Sequence, residues 1–225
     1  MKLLILRPEP GASETAGRAR DMGLEPVVAP LFAVRPVGGP PVPAGRFDAV
    51  LLTSANGARH APPGLTALPC FAVGERTASA ARAAGFLDVR TGPSDGAAAA
   101  ALMASAGVTK ALHLCGRDHL APEALGVAIE RRVVYCAEPL PRPPFQGPAV
   151  ALIHSPRAGA RFAELAIEKS AIAVAAISAS AAAAAGDGWA AKAVAAEPRD
   201  QALLELAAKL CNYGLEAAKD GGDGI

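Results

Sequence analysis

Two proline-rich stretches constrain this chain more than any other feature. They are Pro36-Val37-Gly38-Gly39-Pro40-Pro41-Val42-Pro43 and Pro139-Leu140-Pro141-Arg142-Pro143-Pro144, which runs on to Pro148. Each proline fixes φ and removes a backbone donor, so both stretches are expected to be extended linkers. The segment before the first linker, residues 1–35, has room for one β-α-β unit and cannot bury a core alone. Three more strand–helix units follow the second linker. The economical arrangement joins 1–35 and 147–213 in one discontinuous α/β domain, with linkers at 36–43 and 136–146. A second α/β domain, 44–135, is then inserted, and the Gly- and charge-rich residues 214–225 form a flexible tail.

The hydrophobic pattern fills in the elements. Strands are expected at Leu3–Leu6, Val27–Leu31, Ala49–Leu52, Cys70–Val73, around Val89, Ala111–Leu114, Val127–Tyr135, Ala149–Ile153, Ile172–Ile177 and Ala193–Ala195. Helices are expected at Ser13–Met22, Arg76–Ala84, Gly96–Ala106, Arg157–Lys169, Ala179–Ala185 and Asp200–Leu210, with Asp95 and Asp200 as N-caps. Strands alternating with helices imply doubly wound parallel sheets. With 52% hydrophobic and 19% charged residues, such sheets can be buried on both faces.

Several function classes are disfavoured. Aromatics make up 4% of the chain, too few for stacking platforms on single-stranded nucleic acid. The net charge of +1 gives no global field toward DNA or a membrane, so an anionic ligand must meet locally placed cations. The N-terminal apolar run stops at Arg7-Pro8, too short for a signal peptide, and a cytoplasmic location is expected. The Ala-rich 171–185 run is only moderately apolar and contains Ser178 and Ser180, so no membrane span is expected. Cys70, Cys115, Cys136 and Cys211 form no C-x-x-C pair and read as reduced core thiols. The histidines show no metal-ligand spacing.

In open α/β sheets ligands bind beyond the carboxyl ends of the strands. The residues found there repeat a theme: Arg7-Pro8; Thr53-Ser54-Ala55-Asn56-Gly57; Gly74-Glu75-Arg76-Thr77; Cys115-Gly116-Arg117; His154-Ser155-Pro156-Arg157; Ser178-Ala179-Ser180. A small or hydroxyl residue precedes each helix start, where free N–H groups bind anions. Arg7, Arg76, Arg117 and Arg157 add fixed positive charge suited to carboxylate or phosphate. The candidate binding set is therefore Arg7, Ser54, Asn56, Gly74, Arg76, Thr77, Gly116, Arg117, Ser155, Arg157, Ser178 and Ser180. No P-loop and no G-x-G-x-x-G is present, so a nucleotide cofactor is disfavoured. No acid/base pair is legible, which suits a protein that positions a reactive substrate.

These motifs, in this order, resemble the uroporphyrinogen-III synthase family. The resemblance rests on Leu4-Ile5-Leu6-Arg7-Pro8, on Thr53-Ser54-Ala55-Asn56-Gly57 after Phe47-Asp48, and on Val73-Gly74-Glu75-Arg76-Thr77-Ala78 running to Gly85-Phe86. Val133-Val134-Tyr135 leading to Pro139, and Ser155-Pro156-Arg157, complete it. It implies two Rossmann- or flavodoxin-like domains joined by a two-stranded linker, the second inserted into the first. It also implies closure of hydroxymethylbilane, a linear tetrapyrrole with eight carboxylates, to uroporphyrinogen III. Ring D is inverted and water is lost, through an azafulvene and a spiro intermediate. No metal or cofactor is implied, and a monomer is expected. Tyr135 matches the family tyrosine proposed to assist departure of the hydroxyl, and Thr77 a family threonine of the site. Two departures stand out. Ser178-Ala179-Ser180-Ala181 replaces the family's usual Gly-Pro-Thr-Thr, and His154 stands where Thr or Phe is common. The short 117–127 span suggests a reduced or absent helix. The residues alone leave two alternatives: a non-catalytic two-lobed binding protein for an anionic small molecule, and a sugar-nucleotide transferase.

Overall fold

The structure is a computed structural model that describes residues 1–92, 96–118, 126–142 and 144–220, except for the side chains of 96, 97 and 213–220. The strands are β1 (Lys2–Ile5), β2 (Glu25–Val28), β3 (Phe32–Pro36), β4 (Ala49–Leu52), β5 (Cys70–Val73), β6 (Val89–Gly92), β7 (Lys110–Gly116), β8 (Ala128–Pro139), β9 (Ala149–Ile153), β10 (Ile172–Ala176) and β11 (Ala191–Val194). The helices are α1 (Gly11–Asp21), α2 (Ala55–Arg59), α3 (Glu75–Ala83), α4 (Gly96–Ser105), α5 (Pro156–Leu165), α6 (Ala179–Ala185) and α7 (Asp200–Asp220). The chain divides into two compact units, Met1–Ala33 with Pro139–Ile225, and Val34–Glu138.

The first unit holds a five-stranded sheet in the order β11-β10-β9-β1-β2, every pairing parallel. Counted along the unit's own strands this is 2-1-3-4-5, the flavodoxin-like order. Alternation along each strand sends side chains to two helical layers. Leu3, Ile5, Val150 and Leu152 pack with Ala12, Ala16, Leu203 and Leu204, which belong to α1 and α7. The opposite face receives α5 and α6, which contact β9 and β10 respectively and pack closely on each other. Because both faces are covered, β9 and β10 are buried at every position.

The second unit holds a six-stranded sheet in the order β3-β8-β7-β4-β5-β6. Pairings from β8 through β6 are parallel. Leaving aside β3 at the edge, the unit's own order is 3-2-1-4-5, the Rossmann-like one. Val50 and Leu52 pack toward α2 and α3 through Ala58 and Ala81, while Ala49, Leu51 and Phe71 pack toward α4 through Ala99 and Met103. Helix α2 lies so close to β7 that a Cβ at Gly57 would sit 2.6 Å from the Leu114 carbonyl oxygen.

The elements differ from expectation at instructive places. Strand β3 was not expected; it ends on Pro36 at a sheet edge, where the missing N–H is tolerated. Helix α2 is only five residues long and is absent from the helices expected from the hydrophobic pattern. Strand β8 runs to Pro139, so the first part of the 136–146 linker is strand. Helix α7 continues to Asp220 through Leu215-Glu216-Ala217-Ala218-Lys219, strong helix formers that carry on where a tail was expected from Gly214. Asp95, most of the 117–127 span and residues 221–225 lie outside the described residues. Among the described residues no helix is long and apolar enough to cross a membrane.

Candidate functional site

Each sheet has one point where the strand order reverses, between β1 and β9 in the first unit and between β4 and β7 in the second. The crevice beyond the carboxyl ends at such a point is the expected ligand site.

In the first unit that crevice is filled by the protein's own charges. The register pairs Ile5 with Leu152, so Arg7 and His154 leave the sheet side by side. Both reach Asp200, the first residue of α7: Arg7 Nη1 donates to Oδ1 at 3.0 Å, and His154 Nε2 lies 2.8 Å from Oδ1. Helix α1 adds Thr15, whose hydroxyl lies 3.0 Å from both carboxylate oxygens, and Arg18, whose Nη2 donates to Oδ2 at 2.6 Å. The side chains of Arg7, His154 and Asp200 are 14%, 8% and 18% exposed. Burial opposes the Asp200 charge, but His154, Arg18 and Thr15 overcome it and hold the carboxyl far below its ordinary value. Burial, with help from Arg7, lowers the His154 pKa, so the ring is neutral at pH 7 and donates from Nε2.

Further along this rim stand capped helix starts. Ser155 accepts from the Ala158 N–H at 3.2 Å and Ser178 from the Ala181 N–H at 3.3 Å. Ser180 Oγ lies 3.0 Å from Ser178 Oγ, so the hydroxyl left by the Ser-Ala-Ser sequence is tied to its neighbour. Arg157 is exposed, with its guanidinium 4.5 Å from the centre of the Phe32 ring.

In the second unit the crevice holds hydroxyls and small residues. Ser54 caps α2, accepting from the Asn56 N–H at 3.1 Å, and it also accepts from the Tyr135 hydroxyl at 3.1 Å. A hydroxyl accepts two hydrogen bonds and donates one, so the Ser54 O–H is left to donate elsewhere. Tyr135 arrives here through an irregularity: β7 pairs Cys115 with Val133 but Gly116 with Tyr135, leaving Val134 without a partner in the register. The ring then covers Gly116, where a Cβ would stand 2.7 Å from two ring carbons. Thr53 Oγ1 lies 2.9 Å from Nε2 of the buried His113, a pair not singled out in the sequence.

The remaining expected residues are placed as follows. Asn56 Oδ1 accepts from Arg59. Gly74 opens α3, its carbonyl accepting from the N–H groups of Thr77 and Ala78 at 3.1 Å. Thr77 is buried and Arg76 exposed. Arg117 is exposed, and its N–H donates to the Tyr135 carbonyl at 3.0 Å. The structure thus gathers Ser54, Gly116 and Tyr135 at one point, whereas Arg7 is engaged in an internal ion pair. Sequence reasoning read Asp200 only as a cap; Thr15 and Arg18, three apart on α1, were the available signal for its larger role. All four cysteines are buried and free, and burial pushes the Cys70 thiol up to about 12.

Parallel sheets covered by helices, with serine-capped helix starts at several strand ends, define a protein of the doubly wound α/β class. The chain belongs to the uroporphyrinogen-III synthase family: the model described as "Uroporphyrinogen-III synthase HemD" matches residues 13–205. As a member it is a lyase that cyclises hydroxymethylbilane in tetrapyrrole biosynthesis. Among solved structures it is similar to the uroporphyrinogen-III synthetase of Helicobacter pylori, with 15% identity, 93% of this chain and 98% of that one covered, and a TM-score of 0.67. A mutant uroporphyrinogen III synthase of Thermus thermophilus matches with 14% identity, 94% and 99% coverage and a TM-score of 0.49. At such identity the Helicobacter likeness is one of fold. No curated protein matches the chain significantly in sequence.

Proposed function

We propose that ring closure is initiated at the switch point of the second unit, with Tyr135 as the acid that assists loss of the substrate hydroxyl. The observation that carries this reading is the phenol's position, its ring against Gly116 and its hydroxyl 3.1 Å from Ser54 at the ends of β7 and β4. The C–O bond of hydroxymethylbilane breaks, the oxygen takes the phenolic proton and leaves as water, and the pyrrole nitrogen lone pair stabilises the resulting azafulvenium. That cation attacks ring D at its substituted carbon. The spiro intermediate fragments and recloses with ring D inverted, and the ring proton lost on rearomatisation restores the phenol. Among the described residues no other acid/base pair stands at the rim, which suits a chain whose main work is to hold a reactive substrate in one conformation.

The substrate carboxylates fall to Ser54, Asn56, Gly74, Arg76, Thr77, Gly116 and Arg117 in the second unit, and to Ser155, Arg157, Ser178 and Ser180 in the first. Arg7 holds the rim through the Asp200 carboxylate instead of meeting one of the substrate's. In the same reading the units are two α/β domains, 44–135 inserted into 1–35 with 147–213 through linkers 36–43 and 136–146. The chain acts as a cytoplasmic monomer without cofactor. Four buried free thiols suit a reducing compartment, and sedimentation equilibrium checks the oligomeric state.

The test supplies hydroxymethylbilane and identifies the isomer by chromatography after oxidation. Wild type should give type III and Tyr135→Phe predominantly the uninverted type I. Undiminished type III formation by the Phe variant would remove Tyr135 from the chemistry.

A further inference from the structure

The first proline-rich stretch is more than a connection. With the residues after α2 it encloses a cavity of about 520 Å³ wholly within the second unit. That is the size of a small-molecule site, and its character fits one: mostly apolar walls with few polar groups. Five prolines line it, Pro36, Pro40, Pro41, Pro62 and Pro63. Because each has its φ fixed, the walls are formed before any ligand arrives. Two polar side chains face it, Arg132 from β8 and His60 from the end of α2. Arg132 is oriented by one bond, from Nη2 to the Pro40 carbonyl at 2.9 Å.

The cavity adjoins the proposed acid. The His60 ring lies with its centroid 6.1 Å from that of Tyr135, tilted by 32°. Val134, the residue skipped in the β7–β8 register, lines the cavity and directly precedes Tyr135. A flat apolar group seated here is therefore next to the phenol, with a guanidinium for any carboxylate it carries.

We propose that this cavity seats one pyrrole ring of the substrate, with a side-chain carboxylate on Arg132 and the ring against the proline walls. The assignment rests on the reading of the second unit's switch point given above. It explains how a tetrapyrrole of four similar rings is held in register: one ring is captured in a preformed, apolar slot, while helix starts and exposed arginines take the remaining carboxylates. A guanidinium–carboxylate pair is charge-assisted and bidentate, which fixes ring orientation as well as affinity.

The test uses the full chain. Arg132→Met should raise KM for hydroxymethylbilane about 10-fold, the loss of one charge-assisted bond, with kcat within about twofold. Arg132→Lys, which keeps the charge but not the fork, should recover part of that loss. Ala61→Phe, at another lining residue, narrows the cavity and should raise KM in the same way while leaving the Arg132 side chain in place. A monopyrrole bearing two carboxylate side chains, titrated into wild type, should shift the amide resonances of Val37, Ala61 and Val134. Unchanged KM in both Arg132→Met and Ala61→Phe, or no shift at those amides, would overturn the seat while wild-type type III formation left the reading of Tyr135 standing. Wild type that forms only type I would instead remove that reading. Should Arg132→Met fail to fold by circular dichroism, Ala61→Phe and the titration decide.

Discussion

The two switch points start from similar materials and end differently. At β1/β9 the chain closes the crevice with Asp200 and four donors to it, Arg7, Thr15, Arg18 and His154. At β4/β7 it sets Ser54, Gly116 and Tyr135, with no carboxylate among them. The first arrangement ties α1, α7, β1 and β9 together; the second leaves donors that can turn to a ligand. A switch point is thus a place where a fold gathers polar groups, and the presence of a counter-ion decides whether they serve cohesion or chemistry. An arginine at a strand end does not by itself mark an anion site.

The largest expected effect breaks the cohesive side. Asp200→Ala leaves Arg7 partly buried without its carboxylate and should cost about 3 kcal/mol, the penalty for removing one partner of a buried pair. Urea unfolding measures it, and an unchanged midpoint would reduce the cluster to surface decoration. Next, Tyr135→Phe should lower kcat about 100-fold, or about 2.7 kcal/mol in barrier, while costing only about 1 kcal/mol of stability for the Ser54 hydrogen bond. Equal losses of activity and stability would mean that Tyr135 is a packing residue.

Acid should act on both units through histidines, His154 in the first and His60 in the second, each with its pKa lowered by burial. The folded His154 pKa lies below its unfolded value, so the unfolded chain takes up the proton first. Stability is then fully present above about pH 6.5 and falls as pH drops below it, by at most about 1.4 kcal/mol per pH unit. Asp200, depressed in the fold, adds a second loss below about pH 4. Thermal melts of wild type and His154→Gln between pH 7 and 5 should diverge, with the variant flatter; parallel curves would point to another titrating group. The smallest effect sharpens the likeness of the two rims. Ser155→Ala and Ser54→Ala each remove an N-cap and should each cost about 1 kcal/mol. A larger loss of activity in Ser54→Ala than in Ser155→Ala would assign the second rim to the reacting end of the substrate.

Most of the sheet was legible because buried parallel strands are continuous apolar runs; Ala49–Leu52, Cys70–Val73 and Ala149–Ile153 stand as the sequence pattern draws them. Short elements at the edges were not. Phe32–Pro36 is too brief and too close to prolines to show a period, and α2 is held by a cap and by close packing on β7, neither of which leaves a helical repeat. The hydroxyl caps at Ser54, Ser155 and Ser178 could be read from residue type and position. The fate of Arg7 could not, since its partner Asp200 stands 193 residues away. Nor could the meeting of Tyr135 with Gly116, because nothing local in the sequence announces that one residue of β8 is passed over.

That omitted pairing makes the phenol's position a matter of counting. Were β8 to pair without a slip, Val134 would stand beside Gly116 and Tyr135 would project to the other face. Val134 and Tyr135 now face the same way, one feeding the interior and one the rim, as their shared cluster shows. A single-residue deletion between 128 and 134 would close the slip and still bring Tyr135 to Gly116, whereas a single-residue insertion there would carry the phenol past the glycine without changing any side chain of the site. Anyone grafting this constellation onto another parallel sheet would have to count residues back from the tyrosine to the glycine.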